Sequence, residues 1–314
     1  MPPFSQLMFS VFVILVTFIL VFMLSLLVAI PIFGADTLFA QFSSPDYNQP
    51  ETIRLLKYMQ TVQSIGLFLL PPLIIAWLFS SSTKAYLYLD RGFTLGVVLL
   101  SFLLITTANP AINFLGSLNE NMQLPGWMAG LEAKMKAMEE NAALLIDRFM
   151  DVKTTGGLLF NLVMIAVIPA VGEEFLFRGV IQKIFTQWSR SHHWGIWISA
   201  ILFSALHMQF YGFIPRMVLG ALFGYLLVWT GSMWVPVLAH FFNNAIGVLG
   251  LFFIRKGTIS PEIEDIGSNQ LPIAMVSISL TVLLLYVIKK QAEKAASPSS
   301  GSNQENSENK QYLG

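Results

Sequence analysis

Residues 157–171 carry no charge, and directly after them AVGEEFLFRGV at 170–180 places Glu173, Glu174 and Arg178 within six positions. On a helix, Glu174 and Arg178 are four apart, share a face and can pair. Glu173 is rotated by about 100° and has no cation one turn along its own face. Burial raises a carboxyl's pKa, whereas a neighbouring Arg stabilises the ionised form. Two adjacent carboxyls in such different settings split their roles. Glu174 is expected to be structural, and Glu173 to be free to move a proton.

Two further apolar stretches hold polar groups of the same kind. ILFSALHMQF carries His207, with Phe203 one turn before it on the same side. WVPVLAHFFNNAIG carries His240 and, four residues on and therefore on the same face, Asn244; Asn243 points about 100° away and is the weaker candidate. A carboxylate, two imidazoles and a carboxamide meeting in one cavity would suit water activation. The carboxylate takes a proton from water, and the donors stabilise the oxyanion that follows. Taken singly, each has a plainer reading. A lone histidine in an apolar helix is commonly a satisfied hydrogen-bonding residue, and a Glu–Arg pair can be interhelical glue or part of an ion or proton relay. Jointly they weigh more, because a charged group at the membrane centre costs about 2.5–3.5 kcal/mol or more.

The elements that must position these groups are membrane helices. Of the 314 residues, 55% are hydrophobic and only 11% charged, against roughly 25% charged in soluble domains. Apolar runs long enough to span recur near 7–33, 58–80, 93–116, 157–182, 194–211, 213–230, 233–254 and 270–288. The expected fold is therefore an all-α membrane protein, a polytopic bundle of about eight transmembrane helices. Four regions follow: N-terminal transmembrane helices at 1–116, a connection at 117–156, a catalytic transmembrane core at 157–288, and a polar tail at 289–314. The first apolar run follows a segment without Lys or Arg and reads as a retained helix, not a cleaved signal.

Pro71-Pro72 is expected to kink the second helix. In the connection, Leu131, Met135, Met138, Ala142, Leu145 and Phe149 form an apolar stripe with charges on the other faces. This amphipathic extramembrane helix is expected to lie on the membrane surface or cap the bundle. Gly220 and Gly224 form a small-xxx-small motif for close helix approach. The Ser/Asn/Gln/Glu-rich tail cannot bury enough surface to fold and reads as disordered. Lys289, Lys290 and Lys294 after the last span point to a cytoplasmic C-terminus. Eight spans place the N-terminus on the same side, with Lys84, Arg91, Lys183 and Arg190; Arg54, Lys153, Arg255 and Lys256 fall opposite. Zero net charge gives no sign of a nucleic-acid partner, and the absence of cysteine excludes disulfides, thiolate nucleophiles and Cys-bound metals.

Three short motifs resemble those of one family. GEEFLFRG at 172–179 is similar to the EExxxR motif of the CPBP family (CAAX proteases and bacteriocin-processing proteins), FSALH at 203–207 to its FxxxH motif, and HFFNN at 240–244 to its HxxxN motif. The likeness covers about residues 155–250. It implies an intramembrane endopeptidase in which Glu173 activates the attacking water with help from His207. His240 and Asn244 would polarise the scissile carbonyl, and Glu174 and Arg178 would orient the site. The substrate would be a membrane-associated protein or peptide, with the lipid bilayer as its surroundings. If zinc is used, its ligands would be Glu173, His207 and His240; no HExxH is present, and a glutamate-activated water without metal is the preferred expectation. A transporter or channel using the same residues as an ion relay, or a non-catalytic immunity protein, are the alternatives. The short loops and modest length point to a bacterial inner membrane.

Overall fold

The computed structural model describes residues 1–43 and 45–296. It contains no β-strand among them. Helix α1 is Pro3–Phe33, α2 Pro50–Phe79, α3 Leu95–Glu120, α4 Ala129–Phe149, α5 Thr155–Ser189, α6 His192–Ala205, α7 Phe213–Thr230, α8 Trp234–Arg255 and α9 Leu271–Ala296. The last part of the polar tail, beyond Ala296, lies outside the described residues; Lys289, Lys290 and Lys294 are still within α9.

Seven of these helices are long and apolar enough to cross a membrane, so the chain is an all-α polytopic membrane protein. The sequence pattern had suggested about eight. The difference is α6, which has 14 residues and is about 21 Å long at 1.5 Å per residue, short of a hydrocarbon core of about 30 Å. It ends at Ala205 because the chain turns through residues 206–208, with Met208 in the left-handed region at φ 54°. The chain still changes ends over this stretch. The Phe4 ring lies 6.0 Å from that of Trp188, at the end of α5. Ser232, between α7 and α8, donates to the Arg91 carbonyl at 2.9 Å. Gln291, on α9, lines a cavity with Arg91 and Ser232. The start of α1 and the end of α9 therefore share one end of the bundle. The connection carrying α4 and the loops near Tyr211 and Glu264 share the other: Tyr211 bonds Glu139, and Asn113 donates to the Glu264 carbonyl.

Prolines shape two of the long helices. Ahead of Pro71-Pro72, α2 widens into a π-helical turn at Ile65–Leu69. Helix α5 does the same at Leu162–Val167, ahead of Pro169. Proline has no N–H for the carbonyl four residues back, so the ladder relaxes locally. At the first of these turns α5 comes close: a Cβ on Gly172 would lie 3.1 Å from the carbonyl carbon of Phe68. The glycine before the glutamate pair thus lets α5 rest against the α2 backbone.

Helices α5, α6 and α7 also meet through small residues. A Cβ on Gly220 would stand 3.3 Å from Ala200 Cα, and one on Gly224 2.9 Å from Ile196 Cγ2. Between α5 and α6 the fit is tighter, for a Cβ on Gly195 would sit 2.0 Å from Thr186 Oγ1 and 2.8 Å from the Gln182 carbonyl oxygen. Gly195→Ala is therefore expected to force the two helices apart at a cost of about 1–3 kcal/mol. The check is the unfolding midpoint of the purified protein in detergent; a midpoint equal to wild type would refute that tight contact.

Candidate active site

The glutamate pair lies near the middle of α5 and is buried, Glu173 at 8% exposure and Glu174 at 0%. Glu174 Oε1 stands 3.0 Å from Arg178 Nη1 on the same helix and 2.8 Å from His240 Nδ1 on α8. Arg178 is held from three further sides. Its Nη2 donates to the Gly220 carbonyl of α7 at 2.9 Å, and its guanidinium lies 4.7 Å from the Phe203 ring centre and 5.4 Å from that of Phe223. A buried guanidinium with a carboxylate, a carbonyl and two aromatic faces around it has its charge compensated.

Glu174 settles the orientation of His240. An ionised carboxylate only accepts hydrogen bonds, so His240 Nδ1 carries the hydrogen and Nε2 is turned away. Nε2 lies 3.9 Å from Glu173 Oε2. The imidazole is stacked on Phe223, with ring centres 5.1 Å apart and 18° between planes, and meets Phe203 edge-on. Glu174 thus serves two partners, while Glu173 faces only an imidazole nitrogen and a cavity. Phe175–Ile181, immediately after the pair, is π-helical; such turns gather at functional sites because they re-aim neighbouring side chains.

His207 lies just past the end of α6. Its Nδ1 donates to the Phe203 carbonyl at 2.8 Å, since a carbonyl can only accept, and among the described residues Nε2 has no hydrogen-bond partner. Asn244 is positioned by the proline of α5. Pro169 offers no N–H to the Ile165 carbonyl, and that carbonyl accepts from Asn244 Nδ2 at 3.1 Å. Asn244 Oδ1 accepts from Asn243 Nδ2, also 3.1 Å.

Glu173, His207, His240 and Asn244 line one cavity of about 550 Å³, and Glu174 and Arg178 stand behind them. Helix α4 forms another wall through Ala142, Leu145, Ile146 and Phe149. The apolar stripe of that helix therefore faces the cavity in its second half, whereas Leu131 and Met138 are exposed. Side-chain ties along its length hold α4 in place. Glu139 accepts from the Tyr211 N–H at 3.0 Å, Asp147 pairs with Arg255, and the Phe149 carbonyl accepts from Lys57 at 2.8 Å.

The cavity also holds polar residues to which the sequence assigned no role or a lesser one. Asn243, set aside there as the weaker candidate, lines the cavity beside Asn244. Arg216 and Gln209 line it too, with Arg216 Nη2 donating to Gln209 Oε1 at 2.7 Å. A signal existed for Arg216, a charge one turn inside the apolar run of α7. None marked Gln209, which lies in a turn.

The donors that a zinc ion would need do not gather. Among the described residues no three His, Asp or Glu side chains converge as ligands. Both histidines hold Nδ1 in a hydrogen bond, His240 with Glu174 and His207 with the Phe203 carbonyl, so Nε2 is the atom each would offer a metal. As arranged, Glu173, His207 and His240 do not fit the three-ligand set of a catalytic zinc.

Fold and site define a polytopic membrane protein with a buried Glu/Arg/His/Asn centre. Residues 155–246, the stretch that builds this centre, match the family described as type II CAAX prenyl endopeptidase Rce1-like, which agrees with the family that the three motifs resemble. The chain is 32% identical over 111 residues to the uncharacterized protein YpbD of Bacillus subtilis (strain 168), covering 33% of this chain and 54% of that protein. It is 26% identical over 190 residues to an uncharacterized 24.3 kDa protein of Escherichia coli, covering 55% of this chain and 85% of that one. The chain thus spans about half the length of the Bacillus protein. No solved structure matches it.

Proposed function

We propose that this chain is an intramembrane endopeptidase in which Glu173 activates water. One observation supports the reading: of two adjacent buried glutamates, Glu174 is held by Arg178 and His240, whereas Glu173 faces the cavity with no Lys or Arg at ion-pair distance among the described residues. Glu173 takes a proton from water, and the hydroxide oxygen bonds to the scissile carbonyl carbon. The carbonyl π pair moves to oxygen as the tetrahedral centre forms. The second hydrogen of Asn244 Nδ2 and a protonated His240 Nε2 supply donors for that oxyanion. When the C–N bond breaks, the proton on Glu173 passes to the leaving nitrogen. His207, with Nε2 free, assists this return. Glu174, held in turn by Arg178, keeps His240 Nδ1 engaged and its Nε2 directed to the cavity.

The substrate in this scheme is a membrane-associated protein or peptide that reaches the cavity under α4. The membrane is the bacterial inner membrane, with the lysine-bearing end of the bundle (Lys84, Lys183, Lys289, Lys290) facing the cytoplasm. The test compares released and membrane-bound peptides from cells carrying wild-type protein or Glu173→Gln. Fragments present only with wild type are the expected result. Identical peptide profiles, together with ion flux through liposomes holding the wild type, would replace this reading with a relay.

A further inference from the structure

The catalytic scheme leaves one cation of the cavity unused. Arg216 sits one turn into α7, on the wall that Glu173, His207 and His240 also line. Its Nη2 is bonded to a neutral partner, Gln209 Oε1, at 2.7 Å; its Nη1 is buried with no hydrogen-bond partner. Among the described residues no carboxylate lies within ion-pair distance of it. Glu139 and Glu173 are the carboxylates whose charge it senses, but neither pairs with it directly; Glu139 accepts from the Tyr211 N–H, and Glu174 is held by Arg178 and His240.

The guanidinium rests against Gly212: a Cβ there would lie 2.8 Å from Arg216 Nη2 and 3.4 Å from its Cζ, so a larger residue would shift the group from its present position. Gly212 is the N-cap of α7 with φ −102°, a value open to any residue, so an alanine can be placed there without backbone strain. A guanidinium whose inner nitrogen is shielded from solvent and has no carboxylate at ion-pair distance gains from one, and its fork matches a carboxylate with two parallel hydrogen bonds.

We infer that Arg216 is the subsite for a carboxylate of the bound peptide, seated in the same cavity as the scissile bond. Arg216 is thus a specificity-determining residue. The carboxylate is either the free C-terminus of the peptide or an acidic side chain close to the bond. Gln209 is the neutral acceptor that this carboxylate displaces. The word "peptide" rests on the endopeptidase reading above, and the test separates the two.

Binding is measured by fluorescence anisotropy on the purified Glu173→Gln protein in detergent, with labelled apolar decapeptides in three matched forms. One ends in a free carboxylate, one in an amide, and one in an amide with a single Glu among its last four residues. The free-carboxylate or the Glu-containing form is expected to bind about tenfold or more tightly than the plain amide, and whichever does so names the source. Adding Arg216→Gln is expected to erase that preference. Arg216→Lys should retain part of it, because the charge stays while the fork is lost. Gly212→Ala, which leaves every charge in place, is expected to reduce it by displacing the guanidinium.

A preference that survives Arg216→Gln would overturn the inference. So would equal binding of all three forms, or no binding of any. Cleavage of the same peptides by the wild-type protein, followed by mass spectrometry, reports separately on the endopeptidase. Binding with the stated preference but without cleavage would remove the enzyme and leave the subsite standing.

Discussion

Glu173→Gln is expected to abolish peptide cleavage while leaving the protein folded. The amide has the shape of the carboxylate but cannot accept the proton of water, and loss of a general base costs about 10²–10⁴-fold in rate. The folded state should not suffer. Glu173 is 8% exposed and, among the described residues, no Lys or Arg lies at ion-pair distance from it; its one such contact is His240 Nε2 at 3.9 Å. A neutral group there avoids the penalty of a buried charge. The measurement pairs turnover with an unfolding midpoint in the same detergent. Turnover within tenfold of wild type would remove Glu173 from the base position. A collapsed midpoint would make it a structural residue instead.

Arg178→Ala is expected to have the largest effect on stability. It strands Glu174 at 0% exposure with its charge uncompensated and frees the Gly220 carbonyl. It also empties the space between the Phe203 and Phe223 rings. Breaking a buried pair by removing one partner costs about 3–5 kcal/mol, which should appear as a much lower midpoint or loss of the folded protein from membranes. Arg178→Lys should not rescue it, since one ammonium cannot copy a fork that reaches both Glu174 and the Gly220 carbonyl. Replacing both partners with apolar residues, Arg178→Met with Glu174→Leu, is expected to recover much of the stability without the activity, because His240 then loses the acceptor on its Nδ1. A stable, active Arg178→Ala protein would contradict the arrangement described.

This second prediction also shows where sequence reasoning reached and where it stopped. The Glu174–Arg178 pair could be read from four-residue spacing, because a helix brings such positions together whatever else the chain does. The sharing of Glu174 with His240 could not, since those residues are 66 apart and meet only when α5 and α8 pack. The division of roles between the two glutamates was legible from one helix; the imidazole that completes it was not.

Seven of the expected spans have their counterparts because bilayer thickness demands a minimum apolar length, and composition alone reports it. The eighth run was apolar enough, but its last residues leave the helix. The turn at residues 206–208 brings His207 to the cavity instead of carrying α6 across. The π-helical turns of α5 were also hidden, for periodicity analysis assumes 100° per residue and a π turn departs from it. Pro169 announced a disturbance, but nothing in the order of residues said that Asn244 would take the carbonyl it leaves free.

Local rules were sufficient for which segments enter the membrane, which neighbours on a helix can pair, and which polar groups are too costly to be idle. Packing alone settled what those groups meet. It brought His240 to Glu174, laid the apolar stripe of α4 across the cavity, and left Arg216 there without a carboxylate. The physical reason is range: helical spacing and burial cost act over a few residues, whereas a cavity is made by side chains whose distance in sequence has no bearing on their distance in space.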